Sequence, residues 1–197
     1  SVSSESFRAF VDESSAARSV DRQEYLIGAA LVPVTACDEV RAQVRALALP
    51  GQIKLHWTDE QESRRRTIVK RLAEIAPMTV VVTHLSERVK KNERCRRKCL
   101  EALYHEMVGM EIYDLTLEHR SDKQNAADRA HIVSLQGQGL ERGIRIRHLR
   151  GGDEPLLWIA DILLGAVNAA AMGEPRYLEA LRETIVVQHR TADSLMP

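Results

Sequence analysis

The chain of 197 residues carries 28 Lys and Arg against 28 Asp and Glu, so its formal net charge at neutral pH is zero. With 44% hydrophobic and 28% charged residues, it has the composition of one ordinary soluble globular domain, which excludes disorder as its main state. A net charge of zero also argues against coating of nucleic acid by overall charge alone. Any site for a polyanion therefore requires local clustering of basic residues.

The cysteines and the apolar stretches indicate a cytoplasmic protein. Cys37, Cys95 and Cys99 match neither a CxxC redox motif nor a paired zinc motif, which is typical of reduced thiols. Cys95 and Cys99 suit helix packing better than half of a metal site. The N-terminus lacks the basic region and apolar run of a signal peptide. The apolar stretch 155–172 contains an acid, Asp161, so we expect a buried helix rather than a membrane span.

Hydrophobic periodicity divides the first half of the chain into short strands and helices. The predicted elements are strands over 7–12 and 25–33, a helix over 37–47, a strand over 53–57 and a helix from 58 to about 76. A turn region with Ser and charged residues separates the first two strands, which indicates a hairpin. The pair Pro50-Gly51 ends the first helix.

Strands and helices alternate in the second half. The predicted elements are strands over 78–84, 112–119 and 144–149, and helices over 87–108, 122–136 and 155–172. The run Thr79-Val80-Val81-Val82-Thr83 is continuous enough for a central strand that is buried on both faces. Gly109 ends the predicted helix over 87–108. The last segment, 177–187, is expected to form a further helix or an extended tail.

This order of elements predicts an α/β fold with a mixed sheet and helices on both faces. Antiparallel strands that lead into alternating strand and helix units are typical of the ribonuclease-H-like fold. That fold gathers acids from the first strand, a later strand and the last helix. No repeat or linker divides the chain, so we predict a single domain over 1–197. Its core spans about 7–172, and a C-terminal helix or tail spans 175–197.

Asp161 is the acid whose position is hardest to explain by solvation. Its helical neighbours three and four positions away are all apolar or Gly. A lone buried carboxylate costs several kcal/mol unless it is paired, hydrogen-bonded or bound to a cation. A structural partner is one explanation and a metal site is another, which requires further acids. Asp153 and Glu154, just before this helix, suit its N-terminal cap better than a metal site.

Further acids lie at the ends of predicted strands. Asp12 and Glu13 follow the first strand, and Glu118 closes a later one. Such acids are often solvated, but these lie where the predicted fold gathers its ligands. Mg²⁺ and Mn²⁺ prefer carboxylate oxygens, and two ions roughly 4 Å apart stabilise the attacking and leaving oxygens of a phosphodiester displacement. We therefore expect Asp12, Glu118 and Asp161 to converge on Mg²⁺ or Mn²⁺, with Glu13 as a candidate fourth ligand.

Several segments resemble the domain of unknown function 3800 family. They are Asp12-Glu13-Ser14, Lys54-Leu55-His56, Glu118 with Gln124-Asn125-Ala126-Ala127-Asp128, and Glu154-Pro155-Leu156-Leu157-Trp158-Ile159-Ala160-Asp161 followed by Gly165-Ala166-Val167. The resemblance covers about residues 7 to 170. It implies a ribonuclease-H-like fold, metal-dependent nuclease activity and metal-binding roles at Asp12, Glu118 and Asp161. Ser15 stands where the family usually has Gly, and Lys54 stands where an acid would suit as a fourth ligand.

Two basic runs, 88–98 and 64–71, concentrate positive charge in a chain that is neutral overall. Runs of this kind are usually solvated helix faces, but a nucleic-acid groove would use the same asymmetry. We expect contacts with the phosphates of DNA or RNA from Lys90, Lys91, Arg94, Arg97 and Lys54.

These observations together predict a divalent-metal-dependent nuclease. Asp12, Glu118 and Asp161 would bind the metal. His56, just before a helix N-terminus, is either an ordinary surface residue or a group that contacts phosphate or transfers a proton at neutral pH. A non-catalytic module that binds nucleic acid or protein is an alternative, and so is a phosphatase or nucleotide hydrolase. The chain has no GxxxxGK[ST] phosphate-binding loop.

Overall fold

A computed structural model describes residues 5–88 and 92–197. Its strands and helices, in chain order, are β1 (Phe7–Ala17), β2 (Arg22–Pro33), α1 (Cys37–Arg45), α2 (Glu62–Ile75), β3 (Met78–Glu87), α3 (Glu93–Gly109), β4 (Asp114–Glu118), α4 (Asp122–Gly137), β5 (Arg145–Leu149), α5 (Leu156–Ala171), α6 (Arg176–Leu181) and β6 (Ile185–Arg190). Single 3₁₀ turns lie at Val34–Ala36, Trp57–Asp59 and Arg182–Thr184.

The strands form one mixed sheet in the order β5-β4-β1-β2-β3-β6. β1, β2 and β3 pair antiparallel, whereas β4 is parallel to β1 and β5 is parallel to β4. An antiparallel meander that continues into parallel strands through helical crossovers is the arrangement of the ribonuclease-H-like fold. The predicted α/β fold class is therefore confirmed.

Side chains that alternate along the strands divide the core into two layers. α3 and α4 cover one face of the sheet, the α3 face. α1, α2, α5 and α6 cover the other, the α5 face. Along β1, Ala9 and Val11 pack in the first layer and Phe10 packs in the second. The alternation continues along the strand, so Asp12 points to the α5 face and Glu13 points to the α3 face.

The predicted strand over 53–57 is wrong. This segment is an irregular loop that ends in the turn Trp57–Asp59. Leu55 and Trp57 are buried, whereas Lys54 and His56 are partly exposed, so the alternation that suggested a strand is real. The segment packs against α5 instead of a neighbouring strand, and the backbone N–H of Trp57 bonds to a side chain.

Two further elements differ from the sequence-based prediction. β1 does not end at Asp12 but continues to Ala17, because its second half pairs with Gln23–Leu26 of β2. The C-terminal segment contains a sixth strand, Ile185–Arg190, which pairs parallel with β3. Its partner strand, β3, lies about a hundred residues earlier in the chain, so no local sequence pattern predicts the pairing.

α5 is the predicted apolar helix, and it lies against the middle of the sheet. Nine of its residues are buried, including Trp158. At Gly165 the helix has no side chain, and the Trp57 ring takes up that space, since a Cβ added there would overlap the ring. Among the helices of the described residues, none combines the length and the hydropathy that are needed to cross a bilayer.

The contact between Gly165 and Trp57 makes a direct test of this packing. We expect Gly165→Ala to lower the free energy of unfolding by roughly 1–3 kcal/mol, because the added methyl group must displace a buried indole ring. Gly109→Ala is the matched control, because a Cβ there meets nothing within 4 Å. It should leave stability unchanged or raise it by up to about 1 kcal/mol. Equal effects of both substitutions in urea denaturation would contradict the packing.

Candidate active site

The parallel pairing of β1 with β4 brings Asp12 and Glu118 side by side. The register between the two strands ends with Val11 beside Leu117, so Asp12 and Glu118 are the next residues on their strands. Residues in register on parallel strands point to the same face of a sheet. The two carboxyl groups therefore meet on the α5 face, where a protonated Asp12 can donate a hydrogen bond to Glu118.

Asp161 reaches the same place from α5. Gly28 of β2 pairs with Asp12, and a Cβ added at Gly28 would lie 3.1 Å from the side chain of Leu164. The helix thus packs closely on the sheet beside Asp12, and Asp161 lies about one turn before Leu164. Its Oδ2 accepts a hydrogen bond from the backbone N–H of Trp57 (2.8 Å). Asp12, Glu118 and Asp161 together are called the carboxylate cluster below.

The acids of the carboxylate cluster repel one another. Burial is the main cause that raises the pKa of Asp12 well above its ordinary value, and the charges of Glu118 and Asp161 raise it further. The Glu13 N–H, 2.7 Å from Asp12 Oδ1, acts in the opposite direction. Burial also raises the pKa of Asp161, although the hydrogen bond from Trp57 opposes this. The cluster therefore favours any nearby positive charge.

Lys54 supplies one such charge. Its Nζ donates a hydrogen bond to Glu118 Oε1, and both side chains are partly exposed. Burial lowers the pKa of Lys54, but the hydrogen bond to Glu118 and the charges of the cluster outweigh it, so the pKa is raised. Gly151 leaves room for this pair, since a Cβ there would lie 2.6 Å from Lys54 Cε. The Trp158 indole N–H holds Gly151 in place through its carbonyl (2.6 Å).

The chemistry of the carboxylate cluster fits a divalent cation. Hard cations prefer carboxylate oxygens, and a cation would relieve the repulsion that raises the pKa of Asp12. In residues 5–88 and 92–197, however, no group of three or more His, Cys, Asp and Glu side chains is arranged to hold a metal ion. Because Lys54 bonds to Glu118, a cation would require these side chains to rearrange.

The structure does not bring Glu13 to the cluster. Its carboxylate lies on the α3 face, where it accepts hydrogen bonds from the hydroxyl of Tyr25 and the guanidinium of Arg96. Arg96 also bonds both oxygens of Asp128, and His148 Nε2 lies 2.9 Å from Asp128. This buried network connects β1, β2, α3, α4 and β5. Glu13 is therefore bound to structural partners, because neighbouring residues of a strand point to opposite faces.

A groove of about 430 Å³ opens beside Asp161 on the α5 face. His56, Asn168 and Met172 are among the residues along its walls. The Nδ1 of His56 lies 2.6 Å from the Thr58 hydroxyl, and its side chain is 42% exposed. The charge of His56 acts on Asp161. The groove and the carboxylate cluster are thus parts of one site.

Arg65 is a groove residue that the sequence analysis did not single out from its basic run. Its guanidinium lies 4.7 Å from the centre of the Trp57 ring, and its Nε and Nη2 donate to the Trp57 carbonyl (3.2 and 3.0 Å). A cation held against an indole ring in this way has a fixed position. The basic run 64–71 indicates a cluster of positive charge, but only the packing of Arg65 on Trp57 shows which of its residues lies at the groove.

The other predicted basic residues lie elsewhere. Arg94 and Arg97 are exposed on α3, and the helix packs on the face of the sheet opposite the carboxylate cluster. They border a second cavity of about 610 Å³ beside His84 and Lys98. Lys90 and Lys91 lie outside the described residues. Of the predicted phosphate contacts, Lys54 alone within the described part of the chain touches an acid of the cluster.

Comparison by sequence does not assign a family. No family model matches the chain, and no curated protein matches it. The resemblance to the domain of unknown function 3800 family therefore stays a prediction.

Solved structures that resemble this chain include ribonucleases H at low identity. One is ribonuclease HII from Archaeoglobus fulgidus, in its complex with PCNA, with 14% identity, a TM-score of 0.45 and coverage of 90% of this chain and 77% of that one. Bst ribonuclease HIII in complex with Mn²⁺ has 10% identity, a TM-score of 0.43 and coverage of 91% and 54%. A variant of the same enzyme has 11% identity, a TM-score of 0.40 and the same coverage. This chain spans about half the length of the ribonuclease HIII chains. The fold assignment rests on sheet order and strand direction.

The repulsion at Asp12 predicts the sign of a pH effect. An acid whose pKa is raised by folding carries a stability cost that grows as pH rises above the unfolded pKa and is complete above the folded pKa. We therefore expect Asp12→Asn, without divalent cations, to raise the free energy of unfolding at pH 7 by about 1 kcal/mol. The gain should shrink as pH falls through the folded pKa, because Asp12 is then neutral as well.

Asp114→Asn is the control for this experiment. Asp114 lies on β4 in ion pairs with Arg8 and Arg147, so its loss should leave stability unchanged or lower it at neutral pH. Urea denaturation of both variants between pH 4 and pH 8 makes the comparison. A loss of stability in Asp12→Asn at pH 7 would contradict the repulsion argument.

Proposed function

We propose that the protein is a divalent-metal-dependent nuclease that hydrolyses phosphodiester bonds of DNA or RNA. The observation that carries the proposal is the convergence of Asp12, Glu118 and Asp161 from a central strand, its parallel neighbour and an apolar helix. Three acids in one partly buried place repel one another, so a purely structural role gives no reason to gather them. The resemblance to the domain of unknown function 3800 family has the same implication.

Each residue of the site has a proposed role. Asp12, Glu118 and Asp161 would hold Mg²⁺ or Mn²⁺. When bound, such ions stabilise negative charge on the phosphodiester and lower the pKa of water. His56 accepts or donates a proton at the groove, with its Nδ1 oriented by Thr58. Lys54 contacts phosphate once it is free of Glu118.

The groove beside Asp161 is the proposed path of the nucleic-acid strand. Its volume of about 430 Å³ lies within the range of about 300–1,000 Å³ that small-molecule sites have. Arg65 at one wall is fixed on Trp57 and suits a phosphate next to the one that is cut. Leu164 and Met172 provide apolar surface for a sugar or a base.

One observation favours a non-catalytic nucleic-acid-binding module as the second candidate. The ammonium of Lys54 already neutralises part of the cluster, and within the described ranges no ready-made metal site is found. The two functions differ in their response to metal. A nuclease of the proposed type should be stabilised by Mn²⁺ in thermal melts, whereas a module without a metal site should not respond.

Loss of the cluster acids should abolish cleavage. We expect Asp12→Asn, Glu118→Gln and Asp161→Asn each to reduce Mn²⁺-dependent cleavage of labelled single- and double-stranded DNA and RNA by about 100-fold or more. Asp114→Asn, on the same strand as Glu118 but outside the cluster, should keep wild-type activity. Cleavage that survives in all three variants, or that persists in EDTA, would overturn the proposal.

Substitution of Arg65 tests which face of the sheet binds nucleic acid. We expect Arg65→Gln to weaken binding of a fluorescent oligonucleotide about three- to tenfold, because one phosphate contact is lost. Binding is measured by anisotropy in EDTA, so that no strand is cut. Arg94→Gln removes the same charge from the α3 face and should have a smaller effect. If Arg94→Gln has the larger effect, the strand lies on the α3 face and the proposed path is wrong.

A further inference from the structure

The Lys54 ammonium cannot contact a substrate phosphate and bond to Glu118 at the same time. As a phosphate contact, its ammonium must be free to meet the substrate. In the structure it is bound to Glu118, one of the three acids that would hold a metal ion. The pair is closely packed, because Gly151 would not accommodate even a methyl group beside it. The position of Lys54 therefore has to change between the two situations.

We propose that Lys54 is the resident counter-ion of the carboxylate cluster, and that binding of a divalent cation displaces its ammonium from Glu118. The proposal rests on the proposed function, since it takes the cluster to be a cation site. In this proposal Lys54 neutralises the carboxylate cluster until a cation takes its place, and contacts the substrate phosphate afterwards.

The displacement follows from electrostatics. An ammonium and a divalent cation that share one carboxylate lie a few Å apart, and at this distance like charges repel strongly in a partly buried site. The backbones of the three acids are held in place, because two acids lie on paired strands and the third lies on α5 with its carboxylate bonded to the Trp57 N–H. Lys54 can move, because its long side chain is 33% exposed and extends from a loop.

The loop itself can stay in place while the ammonium moves. Leu55 and Trp57 are buried on either side of His56 and anchor the segment to α5. Rotation of the side-chain torsions of Lys54 is enough to move its ammonium away from Glu118. The released ammonium is then available to a phosphate oxygen of the substrate, so metal binding prepares the site for nucleic acid.

The test compares Mn²⁺ binding by the wild type, Lys54→Met and Arg147→Met. Isothermal titration calorimetry gives the dissociation constant, and thermal melts with and without Mn²⁺ give stability. We expect Lys54→Met to bind Mn²⁺ about tenfold more tightly, because one competing charge is gone. Without metal it should melt at a lower temperature than the wild type, because the cluster has lost its counter-ion. With saturating Mn²⁺ this difference should shrink.

Arg147→Met is the matched control, because it also removes one positive charge. Arg147 pairs with Asp114, outside the cluster, so its loss should leave the Mn²⁺ dissociation constant unchanged. Any shift of melting temperature should be the same with and without metal. Lys54→Gln, which keeps a polar group, replaces Lys54→Met if the latter does not fold.

The outcomes separate this inference from the proposed function. If the wild type binds Mn²⁺ and Lys54→Met binds it equally or more weakly, the displacement is wrong while the metal site stands. If Lys54→Met binds Mn²⁺ and the wild type does not, the ammonium blocks the site without being displaced, so the displacement and the metal dependence of the wild type are both wrong. If neither binds Mn²⁺, the metal-dependent function and the displacement both fail.

Discussion

Mutual repulsion among Asp12, Glu118 and Asp161 is the constraint around which the site is organised. The fold can hold these acids together because each lies on a rigid element whose own packing is extensive. Lys54 offsets part of the repulsion, and the Trp57 N–H offsets another part at Asp161. The described site therefore keeps a net negative charge that a further positive charge would stabilise.

The sheet separates acids that are paired with basic side chains on one face from acids that repel one another on the other face. On the α3 face, Glu13 and Asp128 are matched by Arg96 and Arg120, and the pKa of Asp128 is lowered, because bonds from His148 and Arg96 outweigh its burial. On the α5 face, three acids share one lysine. A buried acid with matched cations holds elements together, whereas a buried acid without them is available to a ligand.

An irregular loop contributes as much to the site as the regular elements do. The segment from Lys54 to Trp57 gives a counter-ion, an imidazole and a backbone donor within four residues. Its alternating burial fixes the direction of each side chain, as it would in a strand. Two glycines make this placement possible, since Gly165 accommodates Trp57 and Gly151 accommodates Lys54. The placement of Lys54 and Trp57 thus depends on the two glycines that make room for them.

The sequence by itself determined the order of most strands and helices and the need for a partner at Asp161, because these follow from local periodicity and from the cost of burying a charge. Only the tertiary structure decided that β1 continues past Asp12, that Lys54 pairs with Glu118 and that the C-terminus adds a strand. These depend on contacts between residues far apart in the chain, which a local pattern does not encode.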